Sequence, residues 1–169
     1  MMPEPQANPI DTPKGPRPFP WHCPKCRHKE VWPAIVSYRC EMAHEGRLYA
    51  VEVPALTVPR CSHCGELIFN DRAEEQIRDS LRSQLRLLTP HDIQAARTSL
   101  KLSQKDLADR LGTTEATISR WETGDQLQSR AVDNLLRVFF ALPEVRSVLL
   151  GANQNPQLGT GILTDRADR

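Results

Sequence analysis

Two C-x-x-C pairs, Cys23-Pro24-Lys25-Cys26 and Cys61-Ser62-His63-Cys64, constrain the fold of this chain more than any other feature. Two thiolates at that spacing can take adjacent corners of a tetrahedron. Two such knuckles complete it around one Zn2+, at Zn–S distances of about 2.3 Å. The chain between them must then double back. The gap is longer than the usual zinc-ribbon spacing, but its sequence suggests what fills it. Ile35 to Cys40 and Arg47 to Val53 are strand-like, with Glu45-Gly46 as a turn between them. They predict a small hairpin that could not stand alone in water. Gly65, directly after the second knuckle, suits a left-handed turn.

A redox role for a C-x-x-C pair expects thioredoxin-like βαβ surroundings, and these are missing. The odd number of cysteines, five, argues against a disulfide framework. Four protein ligands leave no open position for water, so the expected zinc site is structural rather than catalytic. It would stabilise a domain whose own core is too small. Cys40 is left over. With His44 four residues on it offers part of a second metal site, but a buried free thiol in a strand is the simpler reading. His63 lies inside a knuckle and would ligate only with strained geometry, while His22 and His28 read as solvated flanks.

Composition then marks the boundaries. Residues 1–20 carry seven prolines and almost no large apolar side chains, which predicts a disordered tail. Residues 21–70 form the expected zinc domain. Asp71-Arg72-Ala73-Glu74 is a capping-box pattern with Asp71 as N-cap. Ala73, Ile77, Leu81, Leu85 and Leu88 follow at helical spacing, so 71–88 reads as a linking helix whose stripe packs on one domain or on a second copy. Residues 89–150 read as a helical domain, and 151–169, with little periodicity, as a flexible tail. No segment is apolar enough to span a membrane and no signal-peptide core is present, so the chain reads as cytoplasmic. The fold class expected is α+β: a small zinc-bound hairpin, a linking helix and an all-α domain of five helices.

Within 89–150, polar caps punctuate short apolar stripes. Thr89-Pro90 opens a helix bearing Ile93, Ala96 and Leu100. Ser103 caps Gln104 to Leu111, with Asp106 at the third position, and Gly112 suits the left-handed residue that ends it. Thr114 caps Glu115 to Glu122, whose inner face is Ile118 with Trp121, and Gly124 closes it. Two capped helices around a glycine turn, both with inward apolar faces, make a helix-turn-helix. The second is left with Glu115, Ala116, Ser119 and Arg120 on one exposed side, where an Arg can pair bidentately with guanine. A helical hairpin used only for packing is the plainer alternative. Ser129 caps Arg130 to Leu142, where Val132, Leu135, Leu136 and Phe139 suffice for one stripe. Val138, Phe140 and Leu142 are additional, and point to a dimer surface or else a wider single core.

Leu102-Ser103-Gln104-Lys105-Asp106-Leu107-Ala108, Leu111-Gly112 and Thr117 to Gly124 resemble the phage-repressor (XRE-type) domain. That resemblance implies a lambda-repressor-like fold with Gln104 on a DNA phosphate, Lys105 and Thr114 assisting, and Glu115, Ala116, Ser119 and Arg120 facing bases. It also implies an internal ion pair between Arg97 and Glu122, in preference to a phosphate contact by Arg97. The whole arrangement, with the two knuckles and Leu135-Leu136-Arg137-Val138 before Pro143-Glu144, resembles the MqsA (YgiT-type) antitoxins over about residues 21–150. That family implies a bacterial, nucleoid-associated repressor that binds a palindromic operator as a homodimer, autoregulates its operon and neutralises an RNase toxin through its zinc domain. Ala116 stands where that family has a base-reading Asn, which implies a different operator. The alternative is a solitary zinc-ribbon/XRE regulator, or a transcription adaptor acting by protein contact. No nucleophile–base pair, phosphate-binding glycine loop or open metal site suggests an enzyme. The net charge is only +1, so the basic groups of a DNA binder must be placed on one face, and useful affinity is expected of a dimer rather than a single copy.

Overall fold

The computed structural model describes residues 18–154. Strands β1 (Val31–His44) and β2 (Arg47–Cys61) pair antiparallel from Val31↔Cys61 to His44↔Arg47. Glu45 and Gly46 both have positive φ, 49° and 74°, as the tight hairpin turn requires. Both strands run well past the predicted segments 35–40 and 47–53. The added lengths include prolines at 33, 54 and 59. In a two-stranded ribbon each strand has a free edge, so a missing N–H need not interrupt the ladder. Pro33 faces Pro59, and the register shift between Val36↔Leu56 and Tyr38↔Val53 places Pro54 and Ala55 in a bulge.

One face of the ribbon packs on helix α1 (Asp71–Gln84), with Val51, Val53, Leu56 and Val58 buried against Ala73, Ile77 and Leu81. The linking helix is therefore part of the first module's core. Its N-cap is Asn70, whose side chain accepts from Ala73 N at 3.0 Å, rather than the expected Asp71. Asp71 becomes the first helical residue, where its charge still complements the helix dipole. The helix also stops short of the expected residue 88. Leu85 is its C-cap, Arg86 turns left-handed at φ 51°, and Leu88 packs instead on the second module.

That second module consists of α2 (Pro90–Ser99), α3 (Gln104–Leu111), α4 (Glu115–Thr123), α5 (Arg130–Ala141) and α6 (Pro143–Gln154). The first four open on the expected caps Thr89, Ser103, Thr114 and Ser129, each accepting a backbone N–H three residues on. Ile93, Leu102, Leu107, Ala108, Ile118, Trp121, Leu136 and Phe139 form its buried core. Helix α6 carries regular structure past residue 150, so the expected tail starts no earlier than residue 155. At the other end Phe19 stacks on Trp21 and packs against Cys23, Val31 and Cys61, so the first module begins before residue 21. The rest of both expected tails, residues 1–17 and 155–169, lies outside the described residues. Among those described, no helix is long and apolar enough to cross a membrane.

Candidate metal centre and nucleic-acid interface

The two knuckles repeat one backbone pattern. Cys23 N donates to His28 O and Arg27 N to Cys23 O; Cys61 N donates to Glu66 O and Gly65 N to Cys61 O. Each needs a left-handed residue just after its second cysteine, Arg27 (φ 67°) or Gly65 (φ 77°). Glycine adopts that conformation without steric cost, so the second knuckle is the less strained. Strand pairing brings the pairs together: Cys61 faces Val31, and Val31 bridges back to Trp21 beside the first knuckle.

The four sulfurs all lie within 4.8 Å of one another. Cys23 Sγ is 3.6 Å from Cys64 Sγ, and Cys26 Sγ is 3.6 Å from Cys61 Sγ. Tetrahedral Zn–S bonds of 2.3 Å would set adjacent sulfurs about 3.8 Å apart. A disulfide would need about 2.05 Å. The donors therefore fit a four-sulfur metal site. Donation from the Cys26 N–H brings the Cys23 thiol down to about 7, against the opposing effect of burial. Cys26 is pushed up to about 12 although His28 N–H donates to it, because burial and the neighbouring thiols favour its protonated form. A metal ion binding here would displace protons. His28 and His63 are exposed and stack on each other beside the knuckles, ring centroids 3.8 Å apart. Cys40 is half-buried against the hairpin core, and burial raises its pKa.

Across the molecule, α3 and α4 pack on each other through Leu107, Ala108, Ile118 and Trp121, and leave the outer side of α4 open. Glu115, Ala116 and Arg120 are exposed there, and Ser119 is half-buried. Lys105 and Thr114 are exposed at the two helix starts. Arg97 and Glu122 meet in a bidentate pair, Nε–Oε1 2.6 Å and Nη2–Oε2 2.9 Å, while Arg97 Nη1 also donates to Leu102 O. The Glu122 side chain is 2 % exposed. Burial alone would raise its pKa, but the hydrogen bonds from Arg97 and Gln104 hold it below the usual range. Gln104 is thus tied inward, its amide 2.8 Å from Glu122 Oε2. Of the three residues marked as surplus apolar surface, Val138 and Leu142 are exposed, with Val148 beyond them. Phe140 differs: it is half-buried on the domain core, edge-on to Phe139.

Residues 93–140 match a family model described as helix-turn-helix. The C-terminal module is an XRE-type, DNA-binding helix-turn-helix. No curated protein gives a significant match to the chain.

Two site-shaping groups escaped the sequence reading. Asp133 is fully buried and accepts from Leu88 N at 2.7 Å, Gln128 Nε2 at 3.1 Å and Arg137 Nε at 2.8 Å. Gln128 also donates to Leu88 O at 2.8 Å. The only signal was positional, since Asp133 stands one turn before Leu136 on the buried stripe of α5. The second, Arg82, lies buried between the modules, and nothing in the local sequence marked it.

Proposed function

We propose that the protein is a sequence-specific transcriptional repressor that binds a palindromic duplex as a homodimer, with one structural Zn2+ held by Cys23, Cys26, Cys61 and Cys64. The observation that carries this reading is the exposed face of α4. Arg120 stands free of the ion pair that occupies Arg97 and Glu122, on a helix whose opposite side is fixed in the core. Arg120 would read guanine, and Glu115 can accept from the cytosine amino group. Gln104, Lys105 and Thr114 would contact phosphate at the starts of α3 and α4, where free N–H groups favour anions. For Gln104 that contact needs only a shared amide or a rotation away from Glu122.

The exposed Val138, Leu142 and Val148 support the dimer, because a second copy would cover them and present a second α4 to the other half-site. Such a protein works in the cytoplasm and catalyses no reaction. The resemblance to MqsA-type antitoxins supports a toxin-neutralising role for the first module, whose outer hairpin face leaves Ile35 and Leu48 exposed for a partner.

Selection of duplexes from a random library, followed by titration of Arg120→Ala, tests the DNA reading. The variant should keep its circular dichroism spectrum and lose discrimination between selected and random duplex. Unchanged discrimination would remove Arg120 from the interface. Co-purification of a protein encoded beside this gene tests the antitoxin reading, and its absence would favour a solitary regulator.

A further inference from the structure

The Arg82 side chain comes from the last turn of α1, in the cysteine-bearing module, yet it is buried in the junction, 2 % exposed. Asp79, one turn earlier, pairs with Nη1. Nη2 points to Gly124 O at 3.5 Å, and Nε has no hydrogen-bond partner among the described residues. Burying a guanidinium is costly unless acceptors surround it. The acceptor found here is the carbonyl of the left-handed residue (φ 83°) that ends α4. The last carbonyls of a helix carry the negative end of its dipole and favour a cation. Helix α4 is only nine residues long, so its final turn is a large part of it.

Other contacts hold the chain leaving α4 from the same direction. Leu127 packs with the hairpin core, and Gln128 donates to Leu88 O in the connection after α1. A Cβ on Gly124 would stand 3.3 Å from Pro90 Cγ and 3.8 Å from Arg82 Nη2, so no bulkier residue fits without displacement. The reading helix is thus backed on one side by its own domain and closed at its end by the other module.

We infer that Arg82 is a positioning residue for DNA reading: supplied by the cysteine-bearing module, it caps the C-terminal end of α4 and fixes the angle at which that helix is presented. This rests on the DNA-reading role proposed for α4. It makes specific affinity depend on how the first module is docked, although that module need not touch the duplex.

The test uses the full chain, the duplex selected by the wild type and a random duplex of equal length. Arg82→Met keeps most of the packing and removes the charge; Arg82→Lys restores a cation. Arg82→Met should weaken selected-duplex binding about tenfold and leave random-duplex binding unchanged, and Arg82→Lys should recover most of the loss. Amide hydrogen exchange without DNA should be faster around residues 120–126 in Arg82→Met alone. An unchanged ratio of selected to random affinity overturns the inference, as does unchanged exchange. Equal losses in Met and Lys variants, with equal falls in melting temperature, assign Arg82 to packing and overturn it as well. Should the wild type select no duplex, it is the DNA assignment that fails, and the exchange data still decide whether Arg82 caps α4.

Discussion

Around the knuckles the buried apolar set is Cys23, Val31 and Cys61, with Phe19, Trp21, Cys26 and Ile68 partly covering it. The helix-turn-helix buries Ile93, Leu102, Leu107, Ile118, Trp121, Leu136 and Phe139 against one another. The first cluster has little apolar area to remove from water and relies on four sulfurs converging on one point. The second relies on hydrophobic burial, which needs no ligand. Stability in the first region should therefore track metal and pH, and in the second it should track side-chain volume.

The largest effect that could break this contrast is metal loss. Cys61→Ser, or a chelator, should remove the metal proposed for the four sulfurs and unfold the knuckle end, while α2–α5 keep their helical signal. Elemental analysis with circular dichroism checks both halves. A variant that stays folded at the knuckles without metal would show that the small apolar cluster suffices. A concerted loss of both halves would show that the junction couples them fully.

A smaller effect sharpens the contrast at the junction, where the second module depends on a charge. Asp133→Ala leaves the Leu88 N–H without its acceptor and removes one each from Arg137 and Gln128, which keep Arg86 O and Leu88 O, and should cost about 3 kcal/mol in urea unfolding. Burial would raise the Asp133 pKa, but the Leu88, Arg137 and Gln128 donors lower it below the usual carboxylate range. A depressed folded-state pKa contributes stability above the unfolded value, about 3.9. That contribution is lost as pH falls through the lower folded value. Wild-type stability should accordingly drop below about pH 4, and the Asp133→Ala variant should show a shallower drop. Identical acid profiles would show that Asp133 is not what titrates.

The smallest effect concerns local capping. Ser129 Oγ accepts from Val132 N at 3.2 Å at the start of α5. Ser129→Ala should cost about 1 kcal/mol in the same measurement and leave zinc content unchanged. A change in metal affinity would mean that the two regions are not separable in this way.

Much of the second module was legible in the sequence because its signals are local. Thr89, Ser103, Thr114 and Ser129 cap within three residues of themselves, and Gly112 needs only its own φ. The cysteine pairs were legible for a similar reason, since only converging sulfurs make sense of their spacing. The hairpin was read too short, because only 35–40 and 47–53 carry dense strand-favouring residues, while pairing across the ribbon extends both strands through Pro33, Pro54 and Pro59. Asn70 rather than Asp71 capped α1, and either residue could have served by composition. For Gln104 the sequence offered a helix start, while the tertiary fold placed Glu122 within reach of its amide.

Taken by itself, the sequence determined that the four cysteines of the two knuckles converge, where α2 to α5 start, and which residues are exposed on α4. Each depends on atoms a few residues apart or on a repeated spacing. The tertiary structure alone decided that α1 belongs to the hairpin and that Arg82 faces Gly124. It also decided that Asp133 holds the connection at Leu88. Those partners lie more than forty residues apart in the chain. No propensity or local pattern links them, and only packing two modules against one another brings a buried charge to its acceptor.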